Sequence, residues 1–204
     1  MATCATVSYT YNALGQRVEK QVGTAYTEFL YDAFGDEIGR HNRSAWTETF
    51  VPFGATPLAK YQDGMTRFIH GNHLGTTTFL TDYAGTVTQK LLYYPWGQTW
   101  QSAGTVKDNR FASLGQRDAE TGNDPTLFRL YNPRLYRWLS PDPLAGSILN
   151  PQSLNRYAYV LNNPVNVIDP LGLDFCDEHP NSPACNREPH EPRFNDAVFS
   201  GMSG

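Results

Sequence analysis

Residues 9–18 of the chain read Tyr-Thr-Tyr-Asn-Ala-Leu-Gly-Gln-Arg-Val, and residues 29–38 read Phe-Leu-Tyr-Asp-Ala-Phe-Gly-Asp-Glu-Ile. The two stretches begin twenty residues apart and share an aromatic run, then Asn or Asp, then Ala, an apolar residue and Gly. An Asn or Asp side chain can bond its own backbone in a tight turn, and Gly accepts the positive φ that such turns require. Each stretch therefore predicts a β-hairpin, and the repetition predicts an array of hairpins.

Weaker copies of the same pattern continue along the chain, at residues 51–54, 82–85 and 94–97. Between them, residues 60–68 predict a hairpin that turns at Asp63-Gly64, and residues 76–81 and 86–94 predict two further strands. A single hairpin cannot bury one of its own faces, so neighbouring hairpins must pair edge to edge. We expect an all-β chain in which stacked hairpins form part of a curled sheet or shell.

The amino-acid composition changes after residue 123, and prolines become frequent, at positions 125, 133, 141, 143, 151, 164 and 170. This composition predicts a turn-rich plug with little helix, apart from a short helical turn near residues 151–157 with Asn150 as its cap. We divide the chain into hairpin repeats (1–60), a core with plug (61–173) and a short variable tail (174–204). The tail has few apolar residues, and we expect it to be poorly ordered or truncated.

Composition narrows the function classes. The net charge is −4 with no basic stripe, which argues against a nucleic-acid partner. No apolar run approaches the roughly 20 residues of a spanning helix. Residues 1–7 lack the pattern of a signal peptide, so the protein either stays inside the cell, is exported by another route or is a fragment of a larger protein. The repeats favour a fragment.

The three cysteines leave alternatives open. Cys176 and Cys185 lie in the tail and can form a small disulfide loop or remain two free thiols, and Cys4 is isolated. A metal site with the nearby His179 and His190 is disfavoured, because the spacing matches no zinc pattern. We expect neither a metal nor a cofactor.

Several motifs, in order, resemble the RHS/YD-repeat family and its RHS-associated core, over roughly residues 9–173. Besides the tyrosine hairpins, these are Gly-Asn-His-Leu-Gly-Thr at 71–76, Tyr-Tyr-Pro-Trp-Gly at 93–97, Leu-Gly-Gln-Arg-Asp-Ala-Glu-Thr-Gly at 114–122, Arg-Leu-Tyr-Asn-Pro-Arg-Leu-Tyr-Arg-Trp-Leu-Ser-Pro-Asp-Pro at 129–143, Asn-Arg-Tyr-Ala-Tyr-Val-Leu-Asn-Asn-Pro at 155–164 and Asp-Pro-Leu-Gly-Leu at 169–173. One tyrosine repeat alone would be a weak signal, whereas six ordered motifs make chance similarity very unlikely.

The resemblance implies a β-repeat shell that the core closes at one end, around a C-terminal cargo such as a toxin used in interbacterial competition. It implies a cut after the Asp-Pro-Leu-Gly-Leu boundary, which here is the Leu173–Asp174 bond. The partners it implies are the chain's own cargo domain and upstream repeats, with secretion-system components or an immunity protein as further candidates. The whole protein would be secreted or displayed at a cell surface.

The family is described as an aspartic-type self-processing protease, and Asp142 and Arg129 match its key aspartate and an arginine thirteen residues earlier. Two carboxyl groups that share a site can supply one base and one acid, because like charges separate their pKa values. We take Asp169 as the second carboxylate and Asp118 as the reserve. Arg129 would hold Asp142 ionised or stabilise the oxyanion. Such a device cuts its own chain once, and no turnover enzyme is expected.

Structural alternatives stand beside each assignment. Asp142 and Asp169 both lie in sequences that favour turns, and Arg129 can pair with any core acid. Asn72, Asn132 and Tyr136 depart from residues that are common in the family. Asn132 cannot titrate, so the chain could be an inactive shell and plug. Exposed Tyr and Trp side chains leave open a carbohydrate-binding or cell-surface-binding module.

One histidine falls within a family motif. His73 is part of the stretch at residues 71–76, and we expect it to be a buried hydrogen-bonding residue rather than a catalytic one.

Overall fold

A computed structural model describes residues 6–53, 56–105, 108–144, 146, 148 and 151–173. Cys4, the Asn150 cap, both tail cysteines, the tail histidines and Asp174 lie outside these residues, as does Gly54 of one weak repeat. Two sheets form the fold, one of ten strands and one of three. The all-β prediction is confirmed, and the described chain has only two 3₁₀ segments, Pro151–Leu154 and Val160–Asn162.

The large sheet is an antiparallel meander in which each strand pairs with the next one along the chain. Its strands are β1 (Val7–Tyr11), β2 (Arg17–Val22), β3 (Ala25–Tyr31), β4 (Glu37–His41), β5 (Trp46–Phe53), β6 (Thr56–Gln62), β7 (Met65–Gly71), β8 (Thr77–Thr81), β9 (Val87–Tyr93) and β10 (Thr99–Gly104). The sheet is open, with β1 and β10 at its edges. It runs through residues 60 and 61 without interruption, so the division there remains a prediction based on sequence.

One turn geometry closes four of the hairpins; the repeats predict it at Asn12, Asp32 and Asp82, and Asn72 adds a fourth. At Asn12, Asp32, Asn72 and Asp82 the side-chain Oδ1 accepts the amides two and four residues later, and the Gly three residues later donates to the backbone carbonyl. These glycines all have positive φ. The same backbone bonds occur at residues 94–98, where Tyr94 replaces the Asn or Asp. The turn at Asp63-Gly64 also lies where the sequence places it.

After β10 the chain turns back and crosses one face of the large sheet. We call residues 108–120 the strap and the sheet face beneath it the strap face. The strap begins at β9, where the Asp108 amide donates to the Gln89 side chain, and it ends at β2, where Glu120 meets Lys20.

The plug follows the strap and contains the second sheet, with β11 (Asp124–Pro125), β12 (Leu130–Asn132) and β13 (Arg137–Trp138). It packs against one end of the large sheet. The main core is built there, from residues of the strap, the plug and one hairpin turn: Leu74, Phe111, Ala112, Leu114, Tyr131, Trp138, Tyr159 and Val160. The rings of Tyr131, Trp138 and Tyr159 contact one another with centroids 4.5–5.7 Å apart. Within the described residues, no helix is long and apolar enough to cross a bilayer.

Candidate active site

Arg129 is the centre of a buried charge cluster in the plug. It follows β11 and precedes β12, and its guanidinium lies over the Trp138 ring at 4.3 Å. Its Nη2 is 2.8 Å from Asp142 Oδ2 and 3.1 Å from Asp169 Oδ2. The structure thus brings together the three residues for which the sequence predicts a catalytic role.

Asp142 reaches Arg129 from a turn that its own side chain closes. Its Oδ1 accepts the amide of Leu144 at 2.8 Å, as the Ser-Pro-Asp-Pro sequence predicts. Its backbone amide donates to the carbonyl of Arg156 at 2.9 Å, which fixes the turn against the segment after the first 3₁₀ helix. The turn and the contact with Arg129 use different carboxylate oxygens, so the structural role does not exclude a chemical one.

Asp169 holds the end of the described chain. Its Oδ1 accepts the amide of Leu173 at 2.9 Å, and its carbonyl accepts the amide of Gly172 at 3.3 Å. Gly172 has φ +73°, and a Cβ at this position would lie 2.2 Å from the Thr126 hydroxyl. Only Gly fits this turn, which places Leu173 directly beneath Arg129.

Arg129 also contacts the backbone of the predicted scissile bond. Its Nη2 donates to the Leu173 carbonyl oxygen at 3.1 Å, and its Nε donates to the Gly172 carbonyl. Leu173 is buried. The Leu173 carbonyl carbon is one end of the Leu173–Asp174 bond, whose other residue is outside the described part.

A cavity of about 30 Å³ adjoins the cluster and is lined by both carboxylates, Arg129 and Leu173, with Leu144, Gly146, Ser153, Asn155, Arg156, Ala158, Val160 and Leu161 completing the wall. This volume is enough for one or two water molecules, and the wall supplies several polar partners. The side chains of Arg129 and Asp169 are almost fully buried, whereas that of Asp142 is 11% exposed. Asp142 is therefore the carboxylate with more access to water.

The sequence analysis missed Arg156. Its guanidinium donates through Nε, at 2.7 Å, and through Nη2 to the backbone carbonyl of Asp142. Its own carbonyl accepts from Arg129 Nη1 at 3.2 Å. Arg156 lies within the Asn-Arg-Tyr motif quoted above, so the signal was present, but nothing in the sequence connected it to Asp142.

The reserve carboxylate Asp118 lies elsewhere. It accepts two bonds from Arg17 Nη1, at 2.9 and 3.0 Å, and one from the Tyr9 hydroxyl at 3.2 Å. These partners belong to β1 and β2 of the large sheet, so Asp118 joins the strap to the hairpins.

The departures from family residues have structural explanations. Asn72 closes its turn as an Asp would. Asn132 Oδ1 accepts the amides of Arg134 and Leu135, and its Nδ2 donates to Asn123, so its recorded contacts close the β12–β13 turn rather than reach Arg129. Tyr136 has φ +60°, which explains why Gly suits that position.

The expectation for His73 was wrong in part. Its Nε2 lies 3.2 Å from the Val165 carbonyl, so the histidine is hydrogen-bonded, but the residue is exposed. His73 occupies the second position of the Asn72 turn.

Another buried acid, Asp124, lies on β11 beside β12. Asp124 is fully buried and receives two bonds from Arg117, each at 2.7 Å. Burial raises the pKa of Asp124 to about 6, although the Arg117 guanidinium opposes this shift. No group of three or more His, Cys, Asp or Glu side chains in the described residues is arranged to hold a metal ion.

Some aromatic side chains are buried in the core, and others along the chain are exposed. Tyr131, Tyr159 and Trp138 are buried in the core, whereas Tyr83 and Trp100 are exposed on the large sheet. The carbohydrate-binding alternative rests on the exposed pair and remains a prediction.

No family model matches the chain. Among curated proteins it is similar to the tRNA nuclease WapA of Bacillus subtilis, with 34% identity over 178 residues, covering 81% of the chain and 7% of the relative. Toxin subunit YenC1 of Yersinia entomophaga is 30% identical, covering 81% of the chain and 19% of the relative. The probable deoxyribonuclease RhsA of Dickeya dadantii is 31% identical, with 82% and 12% covered. The chain therefore spans a small part of each relative.

Solved structures agree with these relatives. A crystal structure of TcdB2–TccC3 without the hypervariable C-terminal region matches with a TM-score of 0.64 and 27% identity, covering 82% of this chain and 9% of that one. The TcdB2–TccC3–Cdc42 structure matches with a TM-score of 0.63 and 27% identity, covering 84% and 9%. These similarities support a structural, toxin-associated role for the β-repeats.

Proposed function

Because the chain belongs to the RHS/YD-repeat family, we propose that it closes one end of a β-repeat shell and cuts its own backbone between Leu173 and Asp174. The cut would free a C-terminal cargo of a larger, exported toxin protein, with the upstream repeats as the intramolecular partner. The observation that carries the proposal is that one guanidinium contacts Asp142, Asp169 and the Leu173 carbonyl.

The chemistry follows from the positions of these groups. Asp142 takes a proton from a water molecule in the adjoining cavity, and the water oxygen attacks the Leu173 carbonyl carbon. The carbonyl oxygen becomes negatively charged, and Arg129 Nη2 stabilises it through the hydrogen bond that is already formed. Preorganisation of this donor in a buried site makes it effective, because no solvent has to rearrange.

The leaving amine requires a proton. Asp142 and Asp169 lie 2.8 and 3.1 Å from the same Arg129 nitrogen, and two carboxyl groups this close favour one shared proton because like charges repel. The protonated member delivers it to the Asp174 nitrogen as the C–N bond breaks. The products are a carboxylate at Leu173 and an amine at Asp174, and one water molecule is consumed.

The backbone at Leu173, which is the substrate, is held by Asp169 and Arg129 themselves. Asp169 accepts the Leu173 amide and Arg129 bonds two successive carbonyls, so the reacting carbon cannot move away from the acids. An attached, aligned substrate raises the effective concentration of the reacting groups. A modest catalyst is therefore sufficient for a cut that happens once.

The test is intact-mass analysis of the full chain kept near pH 7, because the Asp-Pro bonds after Asp124, Asp142 and Asp169 are acid-labile. We expect the wild type to yield a fragment that ends at Leu173. Asp142→Asn should slow the cut by at least about 10³-fold, since an amide cannot act as a base. The matched control is Asp82→Asn, which keeps its turn and should leave cutting unchanged. A wild-type chain that stays intact under all conditions would rule the protease out and leave a structural plug.

A further inference from the structure

Three cations of the large sheet repeat with the period of the hairpins. Lys20 on β2, Arg40 on β4 and Lys60 on β6 are each twenty residues apart and each belong to the second strand of a hairpin. All three side chains contact residues of the strap. We call Lys20, Arg40 and Lys60, with Arg17 beside the first, the cation ladder.

The strap carries a matching series of acceptors. Asp118 and Glu120 meet Arg17 and Lys20, with Nζ of Lys20 lying 3.6 Å from Asp118 and 3.1 Å from Glu120. Further along, the Gln116 Oε1 accepts from Arg40 Nη1 at 2.7 Å. At the other end, Lys60 Nζ lies 3.9 Å from Asp108 Oδ2. Ladder and strap therefore run in opposite directions and meet at three successive hairpins.

Several contacts between the strap and the cation ladder are buried, so they affect the stability of the fold. Lys60 and Asp108 are both 0% exposed, and Arg17 and Asp118 are 7% and 5% exposed. A charge removed from water destabilises the fold unless an opposite charge or a hydrogen bond compensates it. Glu37 and Glu48 of the sheet already pair with Arg40, and Glu48 also pairs with Lys60, so the strap's acids compensate mainly Arg17 and Lys20. Without the hairpins, Asp118 and Glu120 would lack these cationic partners. Each part favours the other's folded form.

A continuous set of bonds links the end of the strap to the proposed active site. The Asp118 amide donates to the Asn123 carbonyl, and Arg117 holds Asp124. The Gly115 amide donates to the Pro125 carbonyl. The neighbouring Thr126 donates its amide and its hydroxyl to the Arg129 carbonyl, and the same hydroxyl accepts the Arg129 amide.

We infer that seating of the strap on the cation ladder positions Arg129 and so permits the cut, which makes shell formation a precondition for release of the cargo. This inference rests on the proposed self-cleavage and adds its regulation. Arg17 and Asp118 are positioning residues in this scheme, because neither contacts Asp142, Asp169 or Leu173 in the recorded bonds.

The test uses the full chain with Arg17→Gln, Asp118→Asn and the double variant. Hydrogen exchange of the amides at 112–120 reports strap seating, and intact mass over time reports cutting. We expect each single variant to speed exchange of the strap and slow cutting by at least about tenfold, because each removes the buried Arg17–Asp118 ion pair. The double variant should be no slower than the worse single variant, since both remove one interaction.

One milder variant and two control variants complete the test. Gln116→Ala is a milder change, because Arg40 still pairs with Glu37 and Glu48, and it should give a smaller defect in the same two readouts. Arg43→Gln and Lys90→Gln remove exposed cations that do not contact the strap in the recorded bonds, and both should behave as wild type.

The outcomes separate the two proposals. Faster strap exchange with an unchanged rate of cutting overturns the gating and leaves self-cleavage standing. Loss of cutting in Asp118→Asn, with normal cutting in Arg17→Gln, also overturns it and returns Asp118 to the role of an acid. A wild-type chain that never cuts overturns both.

Discussion

The hairpin sheet and the plug obtain their order in different ways. In the sheet, each turn is closed by bonds between residues two to four positions apart, and each strand pairs with its neighbour in sequence. In the plug, Arg129 bonds to Asp169 and Leu173, which are 40 and 44 residues away. Repetition therefore builds a scaffold, whereas the candidate site forms where the repetition ends and distant segments meet.

Both regions bury charge, but they arrange it differently. On the strap face, each cation meets an acceptor of the strap, as Arg17 meets Asp118 and Lys20 meets Glu120. In the plug, two carboxylates converge on the same guanidinium nitrogen of Arg129. Separate pairs stabilise a scaffold, whereas two acids that share one site are suited to proton transfer.

The largest difference in stability between the plug and the sheet should appear when one aromatic residue in each is replaced by alanine. Trp138 in the plug is 0% exposed and supports Arg129 from below, whereas Phe34 at a hairpin turn is 93% exposed. We expect Trp138→Ala to lower the free energy of unfolding by about 3–5 kcal/mol. Phe34→Ala should change it by less than about 0.5 kcal/mol.

Urea unfolding of both variants measures the difference. Because the Arg129 guanidinium rests on the indole, Trp138→Ala should also abolish cutting under conditions in which the protein is still folded. Comparable losses of stability in the two variants would mean that the plug is not the main core.

A smaller effect on the free energy of unfolding should appear when the pH is changed, because of Asp124 in the plug. Asp124 has a folded-state pKa of about 6, above its ordinary value of 3.8, so the folded protein binds this proton more tightly than the unfolded chain. Its ionisation therefore opposes folding, an effect that is absent well below pH 4 and complete above about pH 6. Relative to Asp124→Asn, wild-type stability should fall by about 2 kcal/mol between pH 4.5 and pH 7.

The measurement is urea unfolding of both proteins at the two pH values, with the carboxyl carbon of Asp124 titrated by NMR. A titration midpoint near 4, with the same pH dependence in both proteins, would contradict the assignment.

The smallest effect concerns the turns of the sheet. Asn72→Asp retains the oxygen that accepts the amides of Leu74 and Thr76, so stability should change by less than about 0.5 kcal/mol. Asn72→Ala removes that acceptor and should destabilise by about 1 kcal/mol. Thermal melting of the two variants decides whether the side-chain oxygen, rather than the charge, is what the turn requires.

The hairpins could be predicted from the sequence because their information is local. The Asn or Asp and the Gly at fixed spacing specify the turn by themselves, and the aromatic alternation specifies the strands. Asp142 and Arg129 came from the family resemblance rather than from a physical pattern, and Asp169 was chosen because it lies four residues before the expected cut. Their convergence on one another depends on the plug's fold, which no local rule specifies.

The strap could not be predicted in the same way. Strand alternation shows that a residue points to one face, but not which segment covers that face. The period of Lys20, Arg40 and Lys60 was nevertheless visible, and buried cations on successive hairpins indicate an acidic partner. Arg156 gave no such signal, because its bonds go to a backbone carbonyl that only the folded turn presents.

The most direct test of self-cleavage after Leu173 is to let the chain cut in water enriched in ¹⁸O and to sequence the N-terminal fragment by mass spectrometry. Attack by water that Asp142 activates predicts a fragment that ends at Leu173 and carries one solvent oxygen in its new carboxylate, with no such fragment from Asp142→Asn. A fragment that ends at Asp169, the product of acid-labile Asp-Pro cleavage, or equal cutting by the Asp142→Asn chain would contradict the account.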